Sequence, residues 1–386
     1  MFYIRARLWL ILYFIAFLFI WGIFLPFWGI WLEGQGISSS DIGLLFSAGL
    51  LLRFLSNLTL LPRISSGISL LRLLRFLGLL TFIAFTLLFY LQGDLWLAII
   101  TLCVNFFMAP MMPLGDVIGS RLVKQINLDY GRVRLWGSLA FIAGSTCVGW
   151  LIVEYGQQAI LWLIVCATLL LYLLSLLNLS PQLAENDPSE TPLSGSLLAL
   201  FKRRDVILFL IITGAIQGSH GAYYAFSSIY WSHSGISETN IAYLWALGVF
   251  AEVLVMRFNS KLFNRWSIKQ MLLLGLVASI LRWLMVAISS DLYLLGLSQT
   301  LHAFTFAVTH LAAIRYIGLQ ENKEMMRYQS LYSAVALGLI LALFTYISGA
   351  FFESLQGDIF LLTSLLLMPI FWCIKIWKID ERAVKR

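Results

Sequence analysis

Titratable side chains interrupt several long apolar stretches of this sequence. Arg53, Glu252 and Arg282 each stand inside such a stretch, and His302 and His310 share another. A charged group deep in a bilayer costs several kcal/mol on insertion scales, so it usually faces a protein interior and finds a partner there. These residues could contact a charged ligand or a coupling ion. A static ion pair that ties helices together is the alternative interpretation.

The two histidines have a spacing suited to proton transfer. His302 and His310 are eight residues apart, about two helical turns, so both rings could lie on one face. The unperturbed pKa of imidazole is near neutrality, although a buried histidine can equally be a neutral hydrogen-bonding residue. An earlier apolar segment carries further polar groups that could line a cavity: Gln217, His220, Tyr223 and Tyr224.

An acid and a base also flank one short loop. Asp116 lies near the end of the fourth apolar segment and Arg134 near the start of the fifth, so the loop returns them to similar depth. They could bind a substrate together or simply clamp the loop. The first segment is rich in aromatic residues that could stack on a flat substrate. Anchoring at the membrane interface is the simpler explanation, especially for Trp28 and Trp31.

Composition indicates the environment in which these residues lie. Of 386 residues, 60% are hydrophobic and 12% charged, against about 25% charged in soluble domains. The bilayer is therefore the expected solvent. The net charge of +7 comes from short basic clusters and not from one basic domain, which disfavours a nucleic-acid partner. The four cysteines lie in apolar segments without metal-site spacing and are interpreted as buried free thiols, so we expect no metal and no cofactor.

Apolar windows predict about twelve transmembrane helices in an all-α integral membrane protein. The predicted N-terminal half, 1–178, has helices near 8–32, 40–61, 69–91, 95–119, 133–153 and 158–178. A polar linker at 179–203 leads to the C-terminal half, 204–386, with helices near 204–231, 238–257, 267–288, 292–315, 328–350 and 357–378. Apart from Arg53 and Arg282, every Lys and Arg falls at a chain end or beside an alternate loop, which predicts that both termini are cytoplasmic.

Short internal matches indicate that the halves are related. Gly36-Ile37-Ser38 corresponds to Gly235-Ile236-Ser237, and the same register sets Arg53 opposite Glu252. At another offset, Arg132 and Ser138 correspond to Arg327 and Ser333. Two parallel six-helix halves commonly place a substrate site between them near the membrane midplane.

The sequence resembles the major facilitator superfamily over essentially its whole length. It is most similar to the phenylpropionate permease subgroup, which is related to lactose permease and the nucleoside/proton symporters. The resemblance is carried by Pro113-Leu114-Gly115-Asp116, by the run from Asp129 to Ser138 (DYGRVRLWGS), by Leu301-His302-Ala303-Phe304 and by Phe24-Leu25-Pro26-Phe27-Trp28.

The resemblance also implies roles for particular residues. Asp116 and Arg134 match the sugar-binding acid and arginine of lactose permease, and Arg282 and His302 match its coupling arginine and histidine. Thr305 stands where lactose permease has its proton-releasing carboxylate. Phe141 replaces the tryptophan that stacks on the sugar. Galactoside transport is therefore disfavoured, and Glu252, one turn from the matching acidic position, could be a displaced proton carrier.

These observations together predict a transporter and not an enzyme, since no catalytic constellation is found. The expected activity is proton-coupled symport of a small aromatic carboxylate such as 3-phenylpropionate by a functional monomer in a bacterial cytoplasmic membrane. Nucleoside or oligosaccharide symport and export of small amphiphiles are the alternatives. The predicted substrate contacts are Arg53, Asp116, Arg134, Phe141 and Tyr224, and the predicted proton-coupling residues are Glu252, Arg282, His302 and His310.

Overall fold

A computed structural model describes residues 3–61, 67–183 and 200–379. The chain forms two compact units. Unit 1 comprises Met1–Glu190 and Ser237–Ala246, and unit 2 comprises Thr191–Ile236 and Leu247–Arg386. Most of the predicted linker, residues 184–199, lies outside the described residues, so the division at 1–178, 179–203 and 204–386 stays a prediction.

Unit 1 contains six long helices in the described ranges. They are α1 (Ala6–Gly34), α2 (Ser39–Leu60), α3 (Gly67–Leu87), α4 (Asp94–Ile126), α5 (Tyr130–Tyr155) and α6 (Gln158–Leu176). α4 is interrupted before Met111, where Pro110 lacks a backbone N–H donor. Two short strands, β1 (Tyr3–Arg5) and β2 (Asn178–Ser180), pair in parallel beside α1. Apolar periodicity over long windows did not predict these three-residue strands.

The second set of helices runs through unit 2. They are α7 (Arg204–His233), α8 (Glu238–Phe263), α9 (Ile268–Ile288), α10 (292–318), α11 (322–355) and α12 (Asp358–Ile376). The first turns of α8 belong to unit 1. α10 and α11 each contain a π-helical segment, Ala303–Val308 and Tyr332–Leu339. π-Helical segments are rare in proteins, and those that occur often lie at functional sites.

The predicted helices are confirmed in number and position. Eleven of the described helices are long and apolar enough to cross a membrane, and the twelfth, α10, is divided by a turn at Leu301. α4 and α11 extend beyond the predicted ranges 95–119 and 328–350. The reason is that hydropathy detects the apolar part of a helix, whereas their added turns carry polar residues such as Lys124 and Glu324.

The internal repeat has a structural counterpart in the turns before α2 and α8. Gly36 and Gly235 have φ values of 90° and 82°, a left-handed conformation that glycine adopts without a steric penalty. The amide of the next residue returns to the carbonyl five residues back, over 3.2 Å in one copy and 3.0 Å in the other. Ser38 and Ser237 then accept hydrogen bonds from backbone amides of the following helix.

A second repeated feature lies at the starts of α5 and α11. Arg132 pairs with Asp129, the residue before α5, at 2.9 Å, and Arg327 pairs with Glu324 of α11 at 2.6 Å; each pair is three residues apart in the chain. The two pairs follow the register in which Arg132 matches Arg327. The sequence repeat thus extends to local capping and charge pairing.

Two expectations about side-chain environment were wrong. Trp28 and Trp31 are not interfacial anchors, because they are 0% and 2% exposed, stack on each other at 4.5 Å and pack within unit 1, where Trp28 donates to Thr101. The cysteines are free, as predicted, but none is buried and Cys166 is exposed. Cys166 lies in an apolar segment but on the exposed side of its helix. Hydropathy alone does not distinguish the exposed side of such a helix from the buried side.

Candidate functional site

A hydrogen-bonded network centred on Arg282 occupies the interior of unit 2. The side chain projects from α9 and is 0% exposed. Nη1 lies 2.9 Å from Nδ1 of His302, and Nη2 donates to Oε1 of Gln299 at 2.9 Å. The guanidinium carbon lies 4.3 Å from the centre of the Tyr223 ring, and the Tyr223 hydroxyl donates to the same Gln299 oxygen at 2.8 Å. Arg282 is therefore held by hydrogen bonds and by the aromatic ring.

The hydrogen bond from Arg282 defines the proton position on His302. A guanidinium can only donate, so Nδ1 of His302 must accept. The ring is then neutral, with its proton on Nε2, and Nε2 lies 3.5 Å from Oε2 of Glu252 on α8. The side chain of Glu252 is 26% exposed, whereas that of His302 is 9% exposed. This arrangement connects an accessible carboxylate to a buried arginine through one imidazole.

Thr305 links a second histidine to the network. Its hydroxyl oxygen lies 3.0 Å from Nε2 of His220 and 3.4 Å from Nη1 of Arg282. Nδ1 of His220 lies 3.0 Å from the Gln217 carbonyl, which can only accept, so Nδ1 carries a proton. A threonine hydroxyl does not ionise near neutral pH. The position that resemblance assigns to a proton-releasing carboxylate therefore holds a hydrogen-bonding bridge.

Three rings stack along one face of α10, one from the π-helical segment and one from each side of it. His302 and Phe306 are 5.5 Å apart, and Phe306 and His310 are 6.4 Å apart, with nearly parallel planes in both cases. The two histidines thus share a face, as their spacing predicts. His310 bonds through Nδ1 to the Tyr332 hydroxyl at 3.1 Å and makes no hydrogen bond to Arg282 among the described residues.

The predicted acid and base pair of unit 1 lies at the junction of α4 and α5. Nη1 of Arg134 is 3.9 Å from Oδ1 of Asp116, and the side chains are 34% and 46% exposed. Tyr130 donates a hydrogen bond to Asp116. The Arg134 guanidinium also lies 5.0 Å from the centre of the Phe14 ring. The structure brings the pair together loosely, with both charges accessible.

The remaining predicted residues lie in two places. Arg53 stacks on Trp21 in unit 1, with its guanidinium carbon 4.2 Å from the ring centre. Phe141 lies against α1, where its carbonyl contacts the Gly22 position closely. Tyr224 lies beside the Arg282 network in unit 2, with its ring 5.5 Å from that of His220. Arg53 and Glu252 belong to different units, so their suggested pairing stays a prediction.

Gln299 was missed by sequence reasoning. It accepts hydrogen bonds from both Arg282 and Tyr223 and is 0% exposed. His220 and Tyr223 were recognised only as polar residues able to line a cavity. One signal was available, because Gln299 precedes His302 by three residues and so lies on the same helix face.

Metal binding has no structural support in the described ranges, which contain no group of three or more His, Cys, Asp and Glu side chains able to hold an ion. The network around Arg282 is instead suited to hydrogen bonding and proton exchange.

Comparisons with known proteins agree with this architecture. The model of the MFS_1 like family matches residues 7–362. The chain is 39% identical over 369 residues to the "Probable 3-phenylpropionic acid transporter" of Escherichia coli (strain K12), covering 95% of this chain and 96% of that protein. It is 26% identical over 276 residues to the maltose permease of Geobacillus stearothermophilus, covering 69% and 68%. The crystal structure of the nucleoside transporter NupG superposes with a TM-score of 0.79 at 16% identity, covering 98% of this chain and 100% of that one.

Proposed function

The chain belongs to the MFS_1 like family of membrane transporters, and from this premise we propose that it carries a small aromatic carboxylate, such as 3-phenylpropionate, together with protons. Its fold is the all-α major facilitator fold with about twelve membrane-spanning helices in two related halves. It is a multi-pass membrane transporter and not an enzyme. The substrate, the coupling ion and the residues that bind them belong to the proposal.

The contact between Glu252 and His302 carries the proposal of proton coupling. A partly exposed carboxylate lies 3.5 Å from an imidazole N–H whose other nitrogen accepts from a buried arginine. Protonation of Glu252 would remove the charge that faces His302 and weaken that contact. A carboxylate so placed can load and release a proton as its exposure changes, which is what a symporter requires.

The arginine and aromatic side chains of the membrane-spanning helices are chemically suited to binding an aromatic carboxylate. Arginine recognises a carboxylate through its planar fork of N–H donors, and aromatic rings pack against a phenyl group. Arg53 and Arg134 both lie on aromatic rings in unit 1. The relative from Escherichia coli, which is similar over nearly the whole chain, is named for an acid of this class.

Nucleoside or oligosaccharide symport is the second candidate. Asp116 beside Arg134 presents both an acceptor and donors, the combination that binds hydroxyl groups. The relatives named as a maltose permease and a nucleoside transporter carry such substrates. Competition experiments separate this candidate from the first.

We further propose that the transporter works as a monomer in a bacterial cytoplasmic membrane, with both termini in the cytoplasm. The alternation of basic loops supports that orientation. A reporter fused to either end, active only in the cytoplasm, would test it.

The proposal predicts uptake of radiolabelled 3-phenylpropionate into energised cells that express the chain. A protonophore should abolish accumulation, and excess unlabelled aromatic acid should compete whereas uridine and maltose should not. Immunodetection of the protein in the membrane fraction validates the assay. Absence of uptake with the protein present, or competition only by nucleosides or sugars, would contradict the assignment of an aromatic acid.

A further inference from the structure

We propose that Arg53 is the residue that binds the substrate carboxylate and that Trp21 is a positioning residue that holds its guanidinium. The inference rests on the proposed transport of an aromatic acid and assigns its recognition to one pair in unit 1. Trp21 lies on α1 and Arg53 on α2, about midway along both helices. Their contact is 4.2 Å from the guanidinium carbon to the ring centre.

Within the part of unit 1 that the structure describes, the hydrogen-bonding capacity of Arg53 is unused. Among the described residues of unit 1, no carboxylate pairs with Arg53 and no oxygen accepts a hydrogen bond from it. A guanidinium has five N–H donors directed along its edges, whereas an aromatic ring interacts with its positive charge. The contact with Trp21 therefore stabilises the cation and leaves its donors available for an anion.

The other two arginines considered for substrate contact are already occupied. Arg282 donates to His302, Gln299 and Thr305 and is fully buried. Arg134 has the Asp116 carboxylate at 3.9 Å, and that negative charge opposes a second anion. Arg53 is the one of these three arginines with no anionic or hydrogen-bonding partner in the described part of its unit.

The face of α2 that carries Arg53 points into protein. Gly49 and Ser56, four residues before and three after Arg53, are both buried. Gly49 packs closely against Asn105 of α4, and the Ser56 hydroxyl donates to the Phe106 carbonyl at 2.6 Å. The exposed apolar residues of α2, such as Phe54 and Leu58, lie on another face. The arginine is thus placed for a ligand and not for a lipid headgroup.

The internal repeat supports this assignment, because its two equivalent positions carry charges suited to the two transported species. Arg53 and Glu252 occupy equivalent positions of the two halves and carry opposite charges. In this arrangement the positive site of the first half takes the anion, and the negative site of the second half takes the proton. Each cargo thereby neutralises a charge that is unfavourable within the membrane.

Exchange across proteoliposomes that contain the purified chain tests the assignment. The rate measured is the uptake of external radiolabelled 3-phenylpropionate in exchange for unlabelled acid inside the vesicles. This exchange needs no proton gradient. Arg53→Lys keeps the charge but loses the planar fork, and we expect its KM to rise about tenfold or more, the cost of one charge-assisted hydrogen bond. Trp21→Leu should raise KM by about tenfold through the lost cation–π contact, and Trp21→Phe should give a smaller increase.

A selectivity measurement separates recognition from a general structural role. The amide 3-phenylpropionamide has nearly the same shape as the acid without its charge. The wild-type chain should prefer the acid strongly as a competitor, and Arg53→Gln should bring the two inhibition constants together. Arg132→Lys, at a side chain 75% exposed and paired with Asp129, is the matched control and should match the wild type.

The outcomes distinguish this inference from the proposed function. If the wild-type chain does not exchange 3-phenylpropionate, the proposed function fails and this inference falls with it. If the wild type exchanges the acid but the Arg53 and Trp21 variants keep its KM and its preference over the amide, only this inference is overturned. Should Arg53→Gln fail to reach the membrane, Arg53→Lys and the two Trp21 variants decide the question by the same criterion.

Discussion

Nε2 of His302 faces Oε2 of Glu252 at 3.5 Å, while Nδ1 of the same ring receives a hydrogen bond from Arg282. The arginine prevents protonation of Nδ1 and so keeps the imidazole neutral for as long as this bond lasts. A proton entering from the exposed side must therefore reside on Glu252 or displace Arg282. The carboxylate is the simpler carrier.

Glu252→Gln should uncouple transport without abolishing it. Glutamine has the shape of a protonated glutamate and can accept from Nε2 of His302, but it cannot release a proton. We expect accumulation of substrate to fall to its equilibrium value in energised vesicles, while exchange across proteoliposomes continues. Both quantities can be measured with the same radiolabelled acid.

Glu353→Gln is the matched control for that experiment. Glu353 is an exposed carboxylate near the end of α11, away from the network. It should accumulate substrate like the wild type. Accumulation against a gradient by Glu252→Gln would remove Glu252 from the coupling step and direct attention to the histidines.

Much of the architecture follows from the sequence, because helices in a bilayer require long apolar runs. The resemblance implied coupling roles for Arg282 and His302 but did not predict their hydrogen bond, whereas the loop between α4 and α5 predicted the approach of Asp116 and Arg134. Gln299 was not found, because an uncharged amide costs less free energy within a membrane than a charged side chain and so does not stand out in an apolar segment. The burial of Trp28 also escaped prediction, because hydropathy does not separate a lipid-facing ring from one packed between helices.

Gln299→Ala should lower stability more than a neighbouring truncation. Its side-chain oxygen accepts from both Arg282 and Tyr223 in a fully buried site. Each buried donor left unsatisfied costs about 1–3 kcal/mol. We expect a fall in the melting temperature of the detergent-purified protein of several degrees, at about 2–4 °C per kcal/mol for a unit of this size.

Thr300→Ala provides the comparison for Gln299→Ala. In the part of the chain that the structure describes, the Thr300 hydroxyl makes one hydrogen bond, to the Leu297 carbonyl of its own helix at 2.7 Å, so its loss should change the melting temperature little. Equal shifts for the two variants would show that the Gln299 bonds add nothing measurable to stability.

Gly22→Ala should weaken the packing of α1 against α5. A Cβ at Gly22 would collide with the backbone carbonyl of Phe141, and backbone atoms cannot move aside without separating the helices. We expect destabilisation of about 1–3 kcal/mol, as for other overpacked sites. At Gly131 a Cβ would have Oδ1 of Asp129 at 3.5 Å, an ordinary van der Waals contact. Gly131→Ala should therefore retain the wild-type melting temperature, and similar losses in both variants would refute close packing as the cause.

Asp116→Asn distinguishes the two substrate classes. Asp116 lies 3.9 Å from Arg134 and accepts from Tyr130, so its carboxylate would repel an anionic substrate but would bind the hydroxyl groups of a sugar. For an aromatic acid we expect the KM of Asp116→Asn to stay the same or fall, because removing a negative charge favours anion binding. For a nucleoside or oligosaccharide, loss of a charged acceptor should raise KM by about tenfold or more. Tyr130→Phe keeps the carboxylate and removes only its donor, so it is the control for the charge itself. A rise in KM for 3-phenylpropionate in Asp116→Asn but not in Tyr130→Phe would contradict the expected repulsion between Asp116 and an anionic substrate.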